Sequence, residues 1–251
     1  MKNLLHRNVR DIGGNYKDVS IRTNMLIRGK SIARFNDEEV EYLKNHYYVR
    51  TIIDLRSSEE ANALNKYKKE FNFYSQPVFE GLVPGLSHQE VTFENLHEVI
   101  PEMDKLYYLI LHDEPLKNLA STVKFILNLP EDDYAIYFHC AEGKDRTGLL
   151  AAILLLILGV DEAEIVEDYL FTNRVNKKKA FRYYLVMKYI KRRRALAYKL
   201  RRIYVAKREY INVLFDVIRD EYGSNDNFFY HGLHLSKEEI DKFREMMIVR
   251  K

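Results

Sequence analysis

Short apolar runs, separated by amphipathic stretches, divide the chain into strands and helices. Runs rich in β-branched and aromatic residues predict strands near Met25–Ile27, Thr51–Leu55, Phe71–Val78 and Tyr134–Phe138. Between and after these runs, apolar positions recur at helical spacing. The alternation predicts a layered α/β fold with a central, mostly parallel sheet flanked by helices.

Polar residues mark the starts of several predicted helices. Capping boxes pair an N-cap residue with a glutamate three positions later, at Asn36 with Glu39, Asp161 with Glu164, and Ser236 with Glu239. The unbroken apolar run from Leu149 to Leu158 is too short to cross a bilayer, so it predicts a core helix. The stretch from Phe79 to Glu90 contains Pro84 and two glycines, which predicts a loop that walls the functional site.

The segment between the fourth predicted strand and the apolar helix carries the strongest chemical signal. It runs from His139 to Gly148, reads His-Cys-Ala-Glu-Gly-Lys-Asp-Arg-Thr-Gly, and contains the only cysteine. A turn that leads from a strand into a helix presents backbone N–H groups and the positive end of the helix dipole to an anion. The same surroundings favour the thiolate, which is the nucleophilic form of cysteine. The segment therefore predicts a phosphate-binding loop with Cys140 as nucleophile.

The other residues of the loop fit the same chemistry. Arg146 can donate hydrogen bonds from its planar guanidinium to two phosphate oxygens and stabilise the charge of the transition state. Thr147 can donate a hydrogen bond to the sulfur, and His139 supports the loop from behind. The predicted contacts to the phosphate come from Ala141, Glu142, Gly143, Lys144 and Thr147. The expected reaction is hydrolysis of phosphate monoesters through a cysteinyl-phosphate intermediate.

The chain resembles the bacterial tyrosine phosphatases whose loop reads His-Cys-x-x-Gly-Lys-Asp-Arg-Thr-Gly, a group similar to both protein and phosphoinositide phosphatases. Further segments resemble that family in the same order, at Asn8–Gly14, Ile52–Ser57 with Glu59 or Glu60, Met103–Tyr107, Asp168–Asn173 and Tyr222–Ser224. The resemblance implies a tyrosine-phosphatase-like fold, phosphotyrosyl proteins as leading substrates, and phosphoinositides as the second class. Arg28-Gly29 departs from the family's Arg-Ser pair, so a hydroxyl contact is not expected there.

The resemblance also implies that Asp145 is the general acid. The aspartate on a tryptophan-containing loop that many tyrosine phosphatases use has no counterpart, because the chain contains no tryptophan. A structural role for Asp145, bonding loop amides, is the alternative. Asp54 is the second candidate acid, although Asp54 with Arg56 is equally interpreted as an ion pair that supports the loop. Arg10 and Asp11 allow the same two interpretations.

Lys144 is compatible with more than one class of substrate. Its charge could meet a second phosphate, as on a phosphoinositide ring, or only raise the local positive potential. Two other functions remain as alternatives. One is hydrolysis of soluble inositol polyphosphates, and the other is non-catalytic binding of phosphorylated or phosphoinositide ligands.

Composition limits the domain organisation and the compartment. A chain of 251 residues with 47% hydrophobic residues can bury one core, so a single phosphatase domain over residues 1–251 is expected. One cysteine excludes an internal disulfide and a cysteine-rich metal site, and no metal or cofactor is expected. The N-terminal residues lack an apolar signal-peptide core, so the cytoplasm is favoured, with signal-independent secretion as the alternative. A monomer is favoured.

Positive charge is concentrated in residues 174–208. This segment contains 15 Lys and Arg and no Asp or Glu, although the net charge of the chain is only +3. Its apolar residues recur at helical spacing, which predicts amphipathic helices that break near residues 191–194. Three interpretations are open: attraction to an anionic membrane surface or polyanion, a lid over the site, and a solvated helix face. Nucleic-acid binding is disfavoured because no nucleic-acid-binding module accompanies the segment.

Overall fold

The computed structural model describes residues 4–61, 67–80, 102–190, 192 and 194–249. Of the loop predicted from Phe79 to Glu90, only Phe79 and Glu80 lie within the described residues. Residues 191 and 193, at the predicted helix break, also lie outside them.

A central sheet carries the functional site at one of its edges. Strands occur in the chain order β1 (Arg10–Asp11), β2 (Gly14–Asn15), β3 (Ser20–Ile21), β4 (Leu26–Lys30), β5 (Thr51–Asp54), β6 (Asn72–Ser75) and β7 (Ile136–Cys140). The spatial order in the central sheet is β1-β4-β7-β5-β6, while β2 and β3 form a separate antiparallel pair. β7 is parallel to β4 and β5, β5 is parallel to β6, and β1 is antiparallel to β4. The predicted mostly parallel α/β sheet is therefore confirmed.

Helices cover both faces of this sheet. They are α1 (Asp37–His46), α2 (Ser58–Ala61), α3 (Met103–Ile110), α4 (Asp113–Leu127), α5 (Asp145–Ile157), α6 (Glu162–Phe171), α7 (Asn173–Leu185), α8 (Arg194–Tyr204), α9 (Arg208–Val217), α10 (Asn225–Asn227) and α11 (Lys237–Met247). Short 3-10 helices lie at Leu4–Arg7, Ile32–Arg34 and Glu131–Asp133, and π-helical turns lie at Val186–Ile190, Ile218–Tyr222 and Phe228–Gly232.

Alternate residues of the strands face two apolar clusters. The larger cluster contains α5, which is buried along its whole length because it is apolar on every side. The smaller cluster, on the opposite face, packs α1 and the N-terminal segment against the sheet. Strand residues divide between them by the two-residue period, with Leu26, Ile53 and Phe138 in the first cluster and Ile27, Ile52 and Tyr137 in the second.

The predicted strands are present, with different ends. β4 and β7 extend further toward their carboxyl ends than the apolar pattern indicated, and both reach the site. The strand expected over Phe71–Val78 is limited to β6. Among the described strands, this edge strand pairs with β5 alone, and its last residue, Ser75, is in register with Asp54, the last residue of β5.

Two of the three predicted capping boxes are confirmed. Asn36 and Ser236 each exchange hydrogen bonds with the glutamate three residues later. The box at Asp161 is wrong in part: Asp161 caps α6 through the amide of Ala163, but Glu164 accepts a hydrogen bond from the amide of Lys17 instead. The bond from the distant Lys17 thus replaces the local bond that would complete the capping box.

The basic segment forms a helical hairpin. We call residues 174–208 the basic hairpin; they comprise nearly all of α7, the π-helical turn, α8 and the start of α9. Tyr183 stacks on Tyr204 with ring centroids 5.3 Å apart, which fixes the two helices side by side. At the base, the side chain of Asn173 exchanges hydrogen bonds with both backbone groups of Ala206, at 2.7 and 3.0 Å. The hairpin is thus closed at its base by a specific contact.

Candidate active site

The predicted loop begins at the carboxyl edge of the sheet. Cys140 is the last residue of β7 and pairs with Lys30, the last residue of β4. On the other side, His139 is in register with Asp54, the last residue of β5. Because parallel strands end at the same edge, three segments of the chain that are distant in sequence meet around Cys140. Cys140 is buried, at 4% exposure.

The turn after Cys140 leads directly into α5, which begins at Asp145. The first turn of a helix leaves N–H groups without helical acceptors, so this end of α5 suits an anion. Gly143 has a φ of 64°, and a Cβ at this position would lie 2.2 Å from the carbonyl oxygen of Gly29. The turn therefore requires glycine at 143, both for its backbone conformation and for the close approach to β4.

The structure also explains the departure at Gly29. A Cβ there would lie 2.2 Å from the hydroxyl oxygen of Tyr137. That hydroxyl donates a hydrogen bond to the carbonyl of Lys30 at 2.5 Å. Tyr137 thus occupies the space that a serine side chain at position 29 would need.

Arg146 is held in place by Glu60. Its two terminal nitrogens donate to the two carboxylate oxygens of Glu60, with Nη2 at 2.8 Å from Oε1, and Nη1 also contacts the carbonyl of Leu55. Arg146 is only 2% exposed, and burial opposes its charge, but Glu60 outweighs this effect and raises the pKa of the guanidinium. Within the described residues, its Nε and the hydroxyl of Thr147 are buried without a hydrogen-bond partner.

Asp145 is oriented by Tyr107. The Tyr107 hydroxyl, fully buried, donates to Oδ1 of Asp145 at 2.8 Å and lies 2.7 Å from the hydroxyl of Tyr169. Burial, together with the negative charge of Asp145, raises the pKa of Tyr107 well above its ordinary value. The phenol consequently keeps its proton and remains a donor.

Lys144 does not extend into solvent. It is 1% exposed, its ammonium group donates to the carbonyl of Ile203 in α8, and it lies 3.3 Å from Oδ1 of Asp145. Both close contacts of Asp145, from Lys144 and Tyr107, are therefore to the same oxygen. Lys144 connects the loop to the basic hairpin, and it could reach a second phosphate only by leaving Ile203.

A buried polar network supports the loop from the side of β1 and α6. The side chain of Asn8 donates to the carbonyl of Gly143 at 2.9 Å, and Arg28 reaches the same carbonyl at 3.3 Å. Arg28 and Arg10 both pair with Asp168, at 2.5 and 2.6 Å. Burial would raise the pKa of Asp168, but the two arginines outweigh it and lower that pKa. Of the two interpretations that the sequence left open for Arg10 and Asp11, the geometry does not show their ion pair, because Asp11 accepts from the amides of Gly13 and Asn24 instead.

Asp54 forms an internal ion pair. Arg56 donates from Nε to Oδ1 at 2.9 Å and from Nη2 to Oδ2 at 2.7 Å, and both residues are buried. Burial would raise the pKa of Asp54, yet the charge and the hydrogen bonds of Arg56 lower it. Of the two interpretations that the sequence left open for Asp54, the geometry is that of the supporting ion pair, and its carboxylate is fully engaged by Arg56.

His139 lies behind the loop in a fully buried position. Its Nδ1 is 3.5 Å from Oδ1 of Asp54, which is too long for a strong hydrogen bond. Burial lowers the pKa of His139 to about 4, although Asp54 opposes this shift. The ring is therefore neutral near pH 7, and its contact with Asp54 is not an ion pair.

The side chain of Glu142 is held by two basic residues outside the loop. Its carboxylate accepts from Arg34 at 2.6 Å and lies 3.4 Å from the ammonium group of Lys30. Ala141 and Glu142 can therefore contact a phosphate only through their backbone amides. Among the described residues, no group of three or more His, Cys, Asp or Glu side chains could hold a metal ion.

The sequence prediction found the loop itself but missed most of its support. The supporting residues that it missed are Asn8, Tyr107, Asp168 and Ile203. It also did not decide between Glu59 and Glu60, of which Glu60 holds Arg146. Asn8, Glu60, Tyr107 and Asp168 fall inside the segments that resembled the family, but the resemblance did not indicate which residues they contact. Ile203 contributes a backbone carbonyl, for which no side-chain pattern could have given a signal.

The chain is similar to known tyrosine phosphatases. A profile described as the tyrosine phosphatase family matches residues 5–249. A putative tyrosine-protein phosphatase of Cupriavidus necator is 28% identical over 173 residues, which are 67% of this chain and 61% of that relative. A tyrosine-protein phosphatase of Nostoc commune is 54% identical over 39 residues, or 16% of this chain and 13% of that relative. The chain thus matches less than two thirds of the length of either relative. Because the profile extends over nearly the whole chain, the protein belongs to the tyrosine phosphatase family.

Proposed function

We propose that the protein hydrolyses phosphate monoesters through a cysteinyl-phosphate intermediate, with phosphotyrosyl proteins as leading substrates. The observation that carries the proposal is the arrangement around one turn. Cys140 ends a buried strand, Asp145 and Arg146 begin the next helix, and Glu60 fixes Arg146 while leaving its Nε without a partner among the described residues. Buried, unpaired donors beside a nucleophile suit an anionic substrate.

In the first step, the thiolate of Cys140 attacks phosphorus and the bond from phosphorus to the ester oxygen breaks. Asp145 donates a proton to that oxygen, so the alcohol or phenol leaves neutral. Because Tyr107 and Lys144 both contact Oδ1 of Asp145, the transferable proton belongs on Oδ2. Arg146 and the amides of the loop stabilise the negative charge on the transferring group.

In the second step, water attacks the phosphorus of the cysteinyl phosphate and the phosphorus–sulfur bond breaks. Asp145, now ionised, takes the proton from the water, and inorganic phosphate is released. Thr147 stabilises the departing sulfur as a thiolate through its hydroxyl, which is fully buried and without another partner among the described residues. No step needs a metal or a cofactor.

Phosphoinositides are the second candidate substrates. Lys30 and Arg34 lie on the outer side of the loop, around Glu142, and the basic hairpin contacts the loop through Lys144. A ring with several phosphates would find more positive charge here than a phosphotyrosyl side chain can use. Soluble inositol polyphosphates share this chemistry.

The decisive experiment captures phosphorus on Cys140. The wild-type protein, mixed with an aryl phosphate and quenched rapidly in acid, should carry one phosphate on the peptide that contains Cys140, as detected by mass spectrometry. Cys140→Ser should show no such adduct and should lose at least about 10⁴-fold in kcat/KM. Turnover that persists in Cys140→Ser, or wild-type turnover without any adduct, would contradict the mechanism.

A panel of substrates separates the remaining alternatives. The measurement is kcat/KM for a phosphotyrosyl peptide, a short-chain phosphoinositide and an inositol polyphosphate under the same conditions. We expect the peptide to be preferred. Preference for the phosphoinositide or for the inositol polyphosphate would reassign the substrate while leaving the cysteine chemistry intact. Tight binding of all three without any turnover would indicate a non-catalytic binding protein.

A further inference from the structure

The basic hairpin presents positive charge that the protein itself does not neutralise. The side chains of Lys177, Lys178 and Arg182 are exposed, and none has a carboxylate partner among the described residues. In the part of the hairpin that the structure describes, ion pairs with carboxylates outside it occur only near its base, at Arg202 with Glu102 and at Lys207 with Glu209. Lys177, Lys178 and Arg182 are therefore free to attract an external anion.

Large apolar side chains are exposed on the same hairpin, toward its tip. The exposed fractions are 57% for Phe181, 64% for Tyr189, 72% for Ile190 and 53% for Tyr198. Phe181 and Tyr189 also share one side of α7 and its continuation with Arg174, Lys178 and Leu185, at spacings of three and four residues. The clustered aromatic and aliphatic side chains of this face are costly to leave in water, whereas its cations are hydrated there.

The hairpin is built to hold this face in a fixed position. Tyr184, Met187 and Ala197 form a small buried cluster between its two helices. Its base is closed by Asn173 and Ala206, and Lys144 joins α8 to the catalytic loop. A surface that binds this face would consequently be held at a defined position relative to Cys140.

We propose that the basic hairpin docks the protein onto an anionic lipid surface. Tyr189 and Ile190 insert into the boundary between headgroups and acyl chains, while Lys177, Lys178 and Arg182 remain at the level of the negatively charged headgroups. Aromatic and aliphatic side chains beside lysine and arginine are the combination that interfacial helices use. Charge alone would equally suit a soluble polyanion, but a polyanion offers no apolar layer for Tyr189 and Ile190.

This proposal is independent of the reaction at Cys140, because it concerns only where the protein binds. It is tested by sedimentation of the full-length protein with phosphatidylcholine vesicles, with and without phosphatidylglycerol, at about 0.1 M salt. We expect binding only to the vesicles with phosphatidylglycerol. The triple variant Lys177→Gln, Lys178→Gln, Arg182→Gln should bind these on the order of 100-fold more weakly, because each cation near the surface contributes roughly a factor of five.

The apolar contribution is tested with Tyr189→Ser, Ile190→Ser, which should weaken binding to the same vesicles by at least about 10-fold. Matched controls lie elsewhere on the surface. Lys105→Gln, Lys117→Gln, Lys124→Gln makes the same change in net charge, and Tyr48→Ser, Leu109→Ser removes side chains that are 64% and 55% exposed. Both controls should bind like the wild type, and all variants should unfold at the wild-type temperature.

Three outcomes would overturn the proposal. The first is equal binding to vesicles with and without phosphatidylglycerol. The second is a loss in the control variants as large as that in the hairpin variants. The third is a loss with the charge variant but none with Tyr189→Ser, Ile190→Ser, which would assign the hairpin to a soluble polyanion, measured as binding to heparin.

Discussion

The surroundings of the catalytic loop and the basic hairpin use the same residue types in opposite ways. Around the loop, each buried arginine has a carboxylate partner: Arg10 and Arg28 share Asp168, Arg56 pairs with Asp54, and Arg146 pairs with Glu60. Along the hairpin, Lys177, Lys178 and Arg182 are exposed and have no carboxylate partner within the described residues.

The difference follows from the cost of removing charge from water. A buried ion loses its hydration, so it is tolerated only where a partner and hydrogen bonds compensate. Such pairs have fixed geometry, and under the proposed function this geometry would present Arg146 and Asp145 to the substrate. An exposed cation keeps its hydration and needs no partner. The charges around the loop are therefore fixed in buried pairs, whereas those of Lys177, Lys178 and Arg182 remain exposed to solvent.

The largest expected effect is a loss of stability when Asp168, the carboxylate that Arg10 and Arg28 share, is replaced. Asp168→Asn should lower the free energy of unfolding by about 3 to 5 kcal/mol, because two buried arginines lose their common partner. Urea denaturation of the full-length protein measures it. The hairpin variant Lys177→Gln, Lys178→Gln, Arg182→Gln should stay within about 0.5 kcal/mol of the wild type by the same measurement.

A control for Asp168 is available on the surface. Asp216 pairs with Arg219 at 2.7 Å, and both side chains are 60% exposed. Asp216→Asn should cost less than about 1 kcal/mol. If Asp168→Asn were no more destabilising than Asp216→Asn, or if the hairpin variant were as destabilising as Asp168→Asn, the contrast between the two regions would not hold.

A second effect depends on pH and comes from His139. The pKa of this buried ring is lowered to about 4, whereas an unfolded histidine titrates near 6.5. Between these two values the unfolded state binds more protons, so stability rises with pH. This contribution is complete above about pH 6.5 and is lost toward pH 4, at roughly 1 kcal/mol per pH unit. The lowered pKa of Asp54 changes the stability only below about pH 4, because an unfolded aspartate titrates near that value.

Unfolding by urea at several pH values between 4 and 7 tests this contribution. His139→Asn should be less stable than the wild type at pH 7, and its stability should depend less on pH between 4 and 6.5. His231→Asn, at an exposed position, should keep the wild-type dependence. An unchanged slope in His139→Asn would show that His139 is not the source of the pH dependence.

The fold could be predicted from the sequence because its signals are local. A buried parallel strand is a continuous apolar run, and α5 is apolar on every side, so both are visible without knowing their neighbours. The end of β6 could not be predicted, because it is set by the length of β5, whose last residue, Asp54, is in register with Ser75. Tertiary pairing decided where the strand stops.

The turn between β7 and α5 could be predicted for the same reason, because its sequence pattern lies within ten consecutive residues. Its support could not, because the partners are remote. Arg10 pairs with Asp168 and not with the adjacent Asp11. Glu164 accepts from the amide of Lys17 and does not complete the capping box with Asp161. Lys144 lies against a backbone carbonyl in the hairpin. Each of these choices depends on which segments the sheet brings together, and that information is not local.

The smallest effect concerns Tyr107, which lies between the two regions. It donates to Asp145 and packs beside Tyr210, and the ammonium group of Lys144 lies 6.0 Å from the centre of the Tyr210 ring. Tyr107→Phe keeps the ring but removes the donor to Oδ1, so Asp145 should lose its fixed orientation. We expect a loss of about 10-fold in kcat/KM for an ester with a poor leaving group, and much less for one with a good leaving group.

Asp145→Asn gives the scale for this comparison. If Asp145 is the general acid, Asp145→Asn should slow the poor leaving group far more than the good one, typically by 10²-fold or more. Tyr107→Phe should show the same dependence on the leaving group with a smaller amplitude, because it misplaces the acid without removing it. Equal losses with both leaving groups in Asp145→Asn would exclude Asp145 as the acid. Equal losses in Tyr107→Phe alone would mean that Tyr107 supports the loop as a whole and does not position the proton.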